Sequence, residues 1–124
     1  MKTFNIAILL LFISVVTSCK KDKSDTGGSY PKQVNIVYKV SSTTASSATI
    51  VQYRNETGAI IDVANANLPY TKNVTRTVNK NDVLSLGYGT NTSQTVTLEI
   101  LVNNVSVKSQ PFTQTAGAIT YLFE

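Results

Sequence analysis

Apolar residues recur at every second position over most of the chain from Val34 to its C-terminus. Side chains of a β-strand point alternately to opposite faces of the sheet, so this period of two is typical of strands with one buried face. The clearest run places four aliphatic residues on one side of a single strand: Val96, Leu98, Ile100 and Val102. No stretch shows a convincing helical period, and the pattern therefore predicts an all-β domain over residues 34–124.

Turn-forming residues divide this region into about eight short strands. The predicted strands are 34–40, 48–54, 59–63, 70–78, 83–89, 96–102, 105–110 and 117–124. The short connections imply antiparallel pairing, and Asn103-Asn104 between two valine-rich runs is typical of a tight hairpin turn. The sequence thus predicts an immunoglobulin-like antiparallel β-sandwich of about seven to eight strands. Because Cys19 is the only cysteine, apolar packing alone has to hold its core together.

The first 18 residues have the features of a secretory signal peptide. Lys2 supplies a positive charge near the start, and residues 6–13 form a continuous apolar segment of the length that such peptides use. A membrane-spanning helix needs about 20 apolar residues, so this segment is too short to cross the hydrocarbon core of a membrane as a helix. We therefore expect residues 1–18 to be a cleaved signal peptide.

The signal peptide ends in Val16-Thr17-Ser18-Cys19, which resembles the lipobox of bacterial lipoproteins. In that family the cysteine thiol is acylated with diacylglycerol, the signal is cleaved before it, and the new amino terminus is usually acylated too. The alternative is cleavage by the ordinary peptidase, which leaves Cys19 as a spare thiol with no second cysteine to pair with. An unpaired thiol is a liability in an oxidising compartment, so we expect Cys19 to be the site of lipidation and the chain to be attached to a membrane.

Residues 19–33 are expected to be a flexible tether, because serine, glycine and charged residues replace the apolar alternation. A coil of about 12 residues reaches roughly 20 Å, which keeps residues 34–124 close to the bilayer. Charged residues directly after the cysteine resemble those of lipoproteins in the Bacteroidota. The resemblance implies the cell envelope of a Gram-negative bacterium, with the outer membrane favoured and the periplasmic or surface side left open.

The ordered set of strand motifs resembles the MmpS family of transport accessory proteins. The motifs, in chain order, are Val37-Tyr38-Lys39-Val40, Val51-Gln52-Tyr53 before Glu56-Thr57-Gly58, Leu68-Pro69-Tyr70, and the long run from Val96 to Val105. The resemblance implies a small envelope β-sandwich that assists a large transporter. It also shows two departures, because mycobacterial members use a transmembrane anchor and often carry a cysteine where Leu98 stands.

The residue types required for most catalytic and metal sites are missing or scattered. The chain contains no histidine, which excludes Ser-His and Cys-His nucleophile pairs and imidazole-based metal sites. Its seven acidic residues show no local pairing of the kind that a glycosidase needs. We therefore expect no catalytic residues, no metal, no cofactor and no enzymatic activity.

The basic residues do not form a nucleic-acid-binding face. The net charge is only +4, and three of the eleven basic residues, Lys20, Lys21 and Lys23, lie together directly after the cysteine. A nucleic-acid-binding protein spreads such residues over a surface or along one element, so we expect no nucleic-acid partner.

Two tyrosines are candidate contacts for a ligand or partner. Tyr88 lies in a Gly-Tyr-Gly segment followed by a polar loop, where its flat amphipathic ring could meet a sugar or a lipid. Tyr70 follows Pro69 at a predicted strand start. For both residues the sequence favours a packing role in or beside the core, and ligand contact is the alternative.

The leading functional hypothesis is a lipid-anchored, non-enzymatic module of the cell envelope that binds a protein partner, with service to an envelope transporter as its more specific form. The alternative is a small surface-binding or adhesion lipoprotein that contacts a glycan or another ligand through loops at one end of the sandwich.

Overall fold

The computed structural model describes residues 29–124, in which eight β-strands form two antiparallel sheets packed against each other. The prediction of an all-β sandwich with seven to eight antiparallel strands is confirmed. The predicted signal peptide, Cys19 and most of the predicted tether lie outside the described residues. The strands are β1 (Lys32–Ser42), β2 (Ser47–Arg54), β3 (Ile60–Asn67), β4 (Tyr70–Val78), β5 (Val83–Gly89), β6 (Val96–Val102), β7 (Val105–Phe112) and β8 (Ala116–Leu122).

Each sheet combines two strands from the first half of the chain with two strands from the second half. The first sheet has the order β4-β1-β6-β7, and the second has the order β3-β2-β5-β8. Only the β2–β3 and β6–β7 connections of residues 29–124 join neighbours within a sheet, and each other connection crosses to the opposite sheet. Four strands are therefore edge strands: β4 and β7 in the first sheet, and β3 and β8 in the second.

The strand boundaries agree closely with the pattern of the sequence, with two informative differences. β1 begins at Lys32, two residues before the predicted start of the domain, and β3 continues to Asn67 where the sequence predicted an end at Val63. The inward-facing residues of β3 have odd numbers up to Val63, but the next one is Ala66. Asn65, between these two residues, has a positive φ of 51°. The apolar alternation stops at Val63 for that reason, although pairing with β2 continues to the pair Ser47 and Asn67.

Two predicted turns have the backbone geometry that their residue types favour. Asn103 and Asn104 have φ values of 50° and 66° between the paired Val102 and Val105. Two positive φ values in a two-residue loop define a type I′ turn, whose twist matches that of the flanking strands. Gly58, with φ of 82°, supplies the left-handed residue of the β2–β3 turn, so both predicted turns are confirmed.

The core lies between the two sheets and is built from the alternating apolar residues. The predicted inward face of β6 is fully buried, with Leu98 and Ile100 at 0% exposure. Tyr38 from the first sheet packs against Tyr53 from the second, with a ring-centroid distance of 5.5 Å. The other large, fully buried side chains come from β1, β2, β4, β5 and β6 and from the residue after β8: Val34, Ile36, Val40, Val51, Val78, Leu84, Leu86, Val96 and Phe123.

The two ends of the sandwich differ in what they carry. The described chain begins at one end, which we call the tether end, where the Tyr30 hydroxyl donates a hydrogen bond to the carbonyl of Glu124 at 2.9 Å. Turns 55–59, 79–82 and 103–104 also lie there, whereas connections 43–46, 68–69, 90–95 and 113–115 lie at the opposite end, which we call the far end. Across residues 29–124 there is no helix with the length and apolar character to cross a membrane.

Candidate functional site

Two acidic side chains among residues 29–124, Asp82 and Glu99, bind neighbouring groups of the protein. Asp82 pairs with the Arg76 guanidinium, with an Nη2 to Oδ2 distance of 3.4 Å, and accepts a hydrogen bond from the Asn79 N–H at 2.8 Å. Glu99 accepts a hydrogen bond from the Ser106 hydroxyl at 2.8 Å. No group of three or more His, Cys, Asp or Glu side chains is placed to hold a metal ion within residues 29–124. The contacts of Asp82 and Glu99 are therefore those of structural groups.

Tyr88 lies in the core rather than on a loop. Its side chain is 4% exposed, its ring packs 5.8 Å from that of Phe112, and its hydroxyl donates a 2.6 Å hydrogen bond to the Gln114 carbonyl. Burial raises the pKa of Tyr88, while that hydrogen bond opposes the increase. The packing interpretation of Tyr88 is confirmed, and its ring does not offer a free face to a sugar or lipid.

Tyr70 begins β4 and is only partly buried. It packs against the edge of the core. Burial raises its pKa, and repulsion from Tyr53 adds to the effect. Tyr70 thus borders the core, as the favoured interpretation predicted. Part of its side chain remains exposed, and contact of that part with a ligand stays a prediction. Cys19 lies outside the described residues.

Two partly buried arginines bring together the turns at the tether end. Arg54 donates from Nη1 to the carbonyl of Gly58 at 2.9 Å. The Arg76 guanidinium lies so close to Gly58 that an added Cβ would come within 2.8 Å of Nη2. Arg76 also pairs with Asp82, so the cluster links the β2–β3 turn to the β4–β5 turn. Because these atoms contact the protein itself, we assign the arginine cluster a structural role.

The four edge strands differ sharply in how well they are protected from pairing with another chain. Charged residues, proline, bulges and twisted backbone normally block an edge. β4 carries Lys72 and Arg76, and β3 carries Asp62 and the left-handed Asn65. β7 carries Lys108, Pro111 and a register irregularity opposite Ile100 and Leu101. The sequence of β8, Ala-Gly-Ala-Ile-Thr-Tyr-Leu, has no charge and no proline, and it pairs with β5 without a register shift.

The outer surface beside β8 is made of small side chains. Gly87 and Gly89 of β5 pair with Ala118 and Ala116 of β8, and these four residues define what we call the small-residue face. An open groove of about 370 Å³ runs over it, bordered by Ile50 and Gln52 of β2. At the tether end of β8, Leu122 is 44% exposed. The unprotected edge of β8 therefore lies next to an uncharged surface of small side chains. The backbone of a partner chain can approach such a surface closely.

A second cavity, which we call the far-end pocket, lies between the start of β2, β3 and the β5–β6 loop. Its volume is about 220 Å³, and its lining is almost entirely hydroxyl and amide side chains. Thr49 donates to Asn91 Oδ1 at 3.4 Å, and Gln94 Nε2 donates to the Thr92 hydroxyl at 2.8 Å. Asn65 reaches the pocket from β3.

Comparison with known proteins assigns the chain to no family. No protein-family model matches the sequence, and no curated protein matches it. The candidate surfaces are therefore defined by the geometry of this chain alone.

Sequence reasoning located neither surface, although its alternative hypothesis placed ligand contact in loops at one end of the sandwich. The uncharged composition of residues 116–122 was visible in the sequence, but its importance depends on β8 being an edge strand, which only the strand order shows. The far-end pocket had a weaker signal, the run of polar residues from Thr90 to Gln94. Asn65, which completes the pocket, comes from a distant part of the chain.

Proposed function

We propose that this chain is a lipid-anchored, non-enzymatic module of the cell envelope that binds a protein partner. The observation that carries the proposal is the unprotected edge of β8 beside the small-residue face. The resemblance to the MmpS family adds a more specific form, in which the partner belongs to an envelope transporter.

Strand addition is the binding mode that suits this edge. An extended partner segment can pair with the backbone N–H and C=O groups of an edge strand, while pockets for alternate side chains give selectivity. Within residues 29–124, β8 has a paired neighbour only on its β5 side. A partner strand next to β8 would also cover Leu122 and part of the small-residue face, which adds apolar burial to the backbone hydrogen bonds.

The tether end supports an arrangement in which the domain stays near its membrane. Tyr30 lies at this end, beside the C-terminal Glu124, so a tether from Cys19 would enter there. Confinement by a short tether raises the effective concentration of the domain near a membrane partner. The proposed lipid anchor and the proposed partner binding are thus physically coupled.

Site-specific crosslinking in cells tests the proposal. A photo-crosslinking amino acid replaces Thr120, which is exposed on the β8 edge strand, in the full-length chain. The matched position is Thr77, which is exposed on the charged edge strand β4. We expect one dominant envelope protein, identified by mass spectrometry, to be captured from position 120 and not from position 77.

Edge-charge variants provide the control. Thr120→Lys places a charge on the uncharged edge and should reduce capture, measured from an adjacent crosslinker at position 118, whereas Thr77→Lys should leave it unchanged. Cys19→Ala should weaken capture as well, because the confinement would be lost. Equal capture from both edges, or capture that Thr120→Lys does not reduce, would show that β8 is not the binding edge.

A further inference from the structure

The far-end pocket has a lining that is polar but uncharged. Thr49, Asn65, Asn91, Thr92 and Gln94 contribute hydroxyl and amide groups, and the neighbouring connections 43–46, 68–69 and 113–115 contain no charged residue. Charged residues are found in the turns of the tether end instead, as Glu56, Lys80 and Asp82. The far end therefore presents hydrogen-bonding groups that favour neither a positively nor a negatively charged ligand.

Several of these groups have unused hydrogen-bonding capacity. The Asn65 amide makes no hydrogen bond to the described residues, and the amide nitrogen of Asn91 and the amide oxygen of Gln94 are also without a protein partner there. An amide side chain presents one acceptor and two donors. Two or three such groups around one cavity can bind adjacent hydroxyl groups, each of which both donates and accepts.

The backbone at Asn65 places its side chain in this pocket. Its φ of 51° lies in the left-handed region, inside a strand that otherwise pairs regularly with β2. The change of parity at this position brings Asn65 alongside Thr49 and the β5–β6 loop. Asparagine tolerates left-handed backbone geometry better than most residues, so β3 adopts this backbone conformation at position 65 without a glycine.

The chemistry of the lining selects a class of ligand. An anion would find no cationic side chain in the pocket, and a metal ion would find no carboxylate. An apolar ligand would desolvate amide groups without replacing their hydrogen bonds, which is unfavourable. We infer that the far-end pocket binds one neutral sugar unit of an uncharged glycan, through hydrogen bonds from Asn65, Asn91 and Gln94.

The size and position of the pocket agree with this inference. Pockets that enclose a drug-sized ligand occupy about 300 to 1,000 Å³, and this one, at about 220 Å³, suits a single ring with the rest of a glycan outside. The pocket is at the opposite end from Tyr30, so a tethered domain would present it away from the attachment point. Sugar binding here goes beyond the proposed protein partner and uses different residues.

Nuclear magnetic resonance titration of the isotope-labelled full-length chain tests the inference. The probes are the neutral disaccharides cellobiose, maltose and mannobiose, with digalacturonic acid as the charged comparison. We expect at least one neutral disaccharide to shift the backbone amide signals of Thr49, Asn65 and Gln94, while digalacturonic acid leaves them in place.

A pair of asparagine-to-glycine variants separates binding from folding. Asn65→Gly keeps a residue that favours positive φ but removes the amide, so affinity should decrease about tenfold with the fold intact. Asn104→Gly makes the same change at φ of 66° at the tether end and should not alter affinity. Absence of shifts with every neutral disaccharide, a preference for digalacturonic acid, or binding that Asn65→Gly leaves unchanged would each overturn the inference. Capture of a protein partner at β8 would not support sugar binding in the far-end pocket, because β8 does not supply these amides.

Discussion

At the scale of single residues, Tyr38 shows how a polar group is accommodated inside an apolar core. Its side chain is 0% exposed, and its hydroxyl donates a 2.8 Å hydrogen bond to the carbonyl of Arg54. Burial raises the pKa of Tyr38 to about 12, and the positive charges of Arg76 and Arg54 limit the increase. The folded chain therefore keeps this hydroxyl protonated over a range in which an unfolded tyrosine, with a pKa of about 10, has already ionised.

This difference predicts that stability decreases in alkaline solution. The contribution of Tyr38 is fully present below pH ~10 and is lost as the pH rises towards ~12, because only the unfolded state releases the proton in that window. The maximum loss is about 2 to 3 kcal/mol. Urea unfolding at a series of pH values should show this slope in the wild-type chain. Tyr38→Phe should flatten it more than Tyr70→Phe, since Tyr70 is only partly buried; an unchanged slope in Tyr38→Phe would contradict the assignment.

Among the secondary-structure elements, β6 is one of the two central strands of the first sheet. It pairs with β1 on one side and with β7 on the other. Four of its seven side chains face the core and are buried, and Thr97, Glu99 and Leu101 between them are only partly buried. Buried and partly buried side chains thus alternate along the whole of β6, as the apolar pattern of its sequence predicted. Neighbouring positions should therefore respond very differently to the same substitution.

Aspartate substitutions at adjacent positions of β6 test that difference. Leu98→Asp removes a core leucine, which costs about 2 to 5 kcal/mol, and adds the cost of an unpaired buried charge. Because domains are stable by only about 5 to 15 kcal/mol, we expect this variant to be unfolded by circular dichroism. Thr97→Asp places its carboxylate on the outer face and should remain folded with a small decrease in urea midpoint. Greater damage from Thr97→Asp would mean that the strand faces are assigned in reverse.

At the scale of the whole molecule, the two ends of the sandwich are proposed to have different roles. The tether end contains Tyr30, Glu124 and the charged turns, and the far end contains uncharged loops and the far-end pocket. The β8 edge runs between them along one side. A module of this form can be attached at one end and remain free to bind along a side and at the other end.

Replacement of Cys19 tests the attachment. Cys19→Ala should abolish lipid labelling and release the chain from the membrane fraction, since two or three acyl chains anchor a protein stably. Without them, only the weak attraction of Lys20, Lys21 and Lys23 to an anionic membrane surface would remain. Ser18→Ala is the matched control, because it keeps a small residue before the cysteine and should be labelled normally. Fractionation and metabolic labelling with a fatty acid provide the measurements. Lipid labelling that persists in Cys19→Ala would exclude this cysteine as the acceptor.

The local features of the fold could be predicted from the order of residues along the chain. Alternation of apolar residues depends only on the geometry of a single strand, so the eight strands and the buried face of β6 could be predicted from it. The turns at Gly58 and Asn103-Asn104 were equally predictable, because a positive φ strongly selects glycine and asparagine. Burial of Tyr88 was the favoured interpretation for the same local reason, its place in the alternation of β5.

The identity of the edge strands and the proximity of distant residues depend on how the strands pair in the folded chain. The uncharged β8 is an edge because the chain places β5 beside it and no described strand beyond it, and this order depends on pairing between segments far apart in sequence. Asn65 and Asn91 meet at the far end for the same reason. β3 extends past its apolar pattern because pairing with β2 stabilises residues that local preference would leave in a loop. Candidate binding surfaces arise from such non-local contacts, which a pattern of neighbouring residues does not encode.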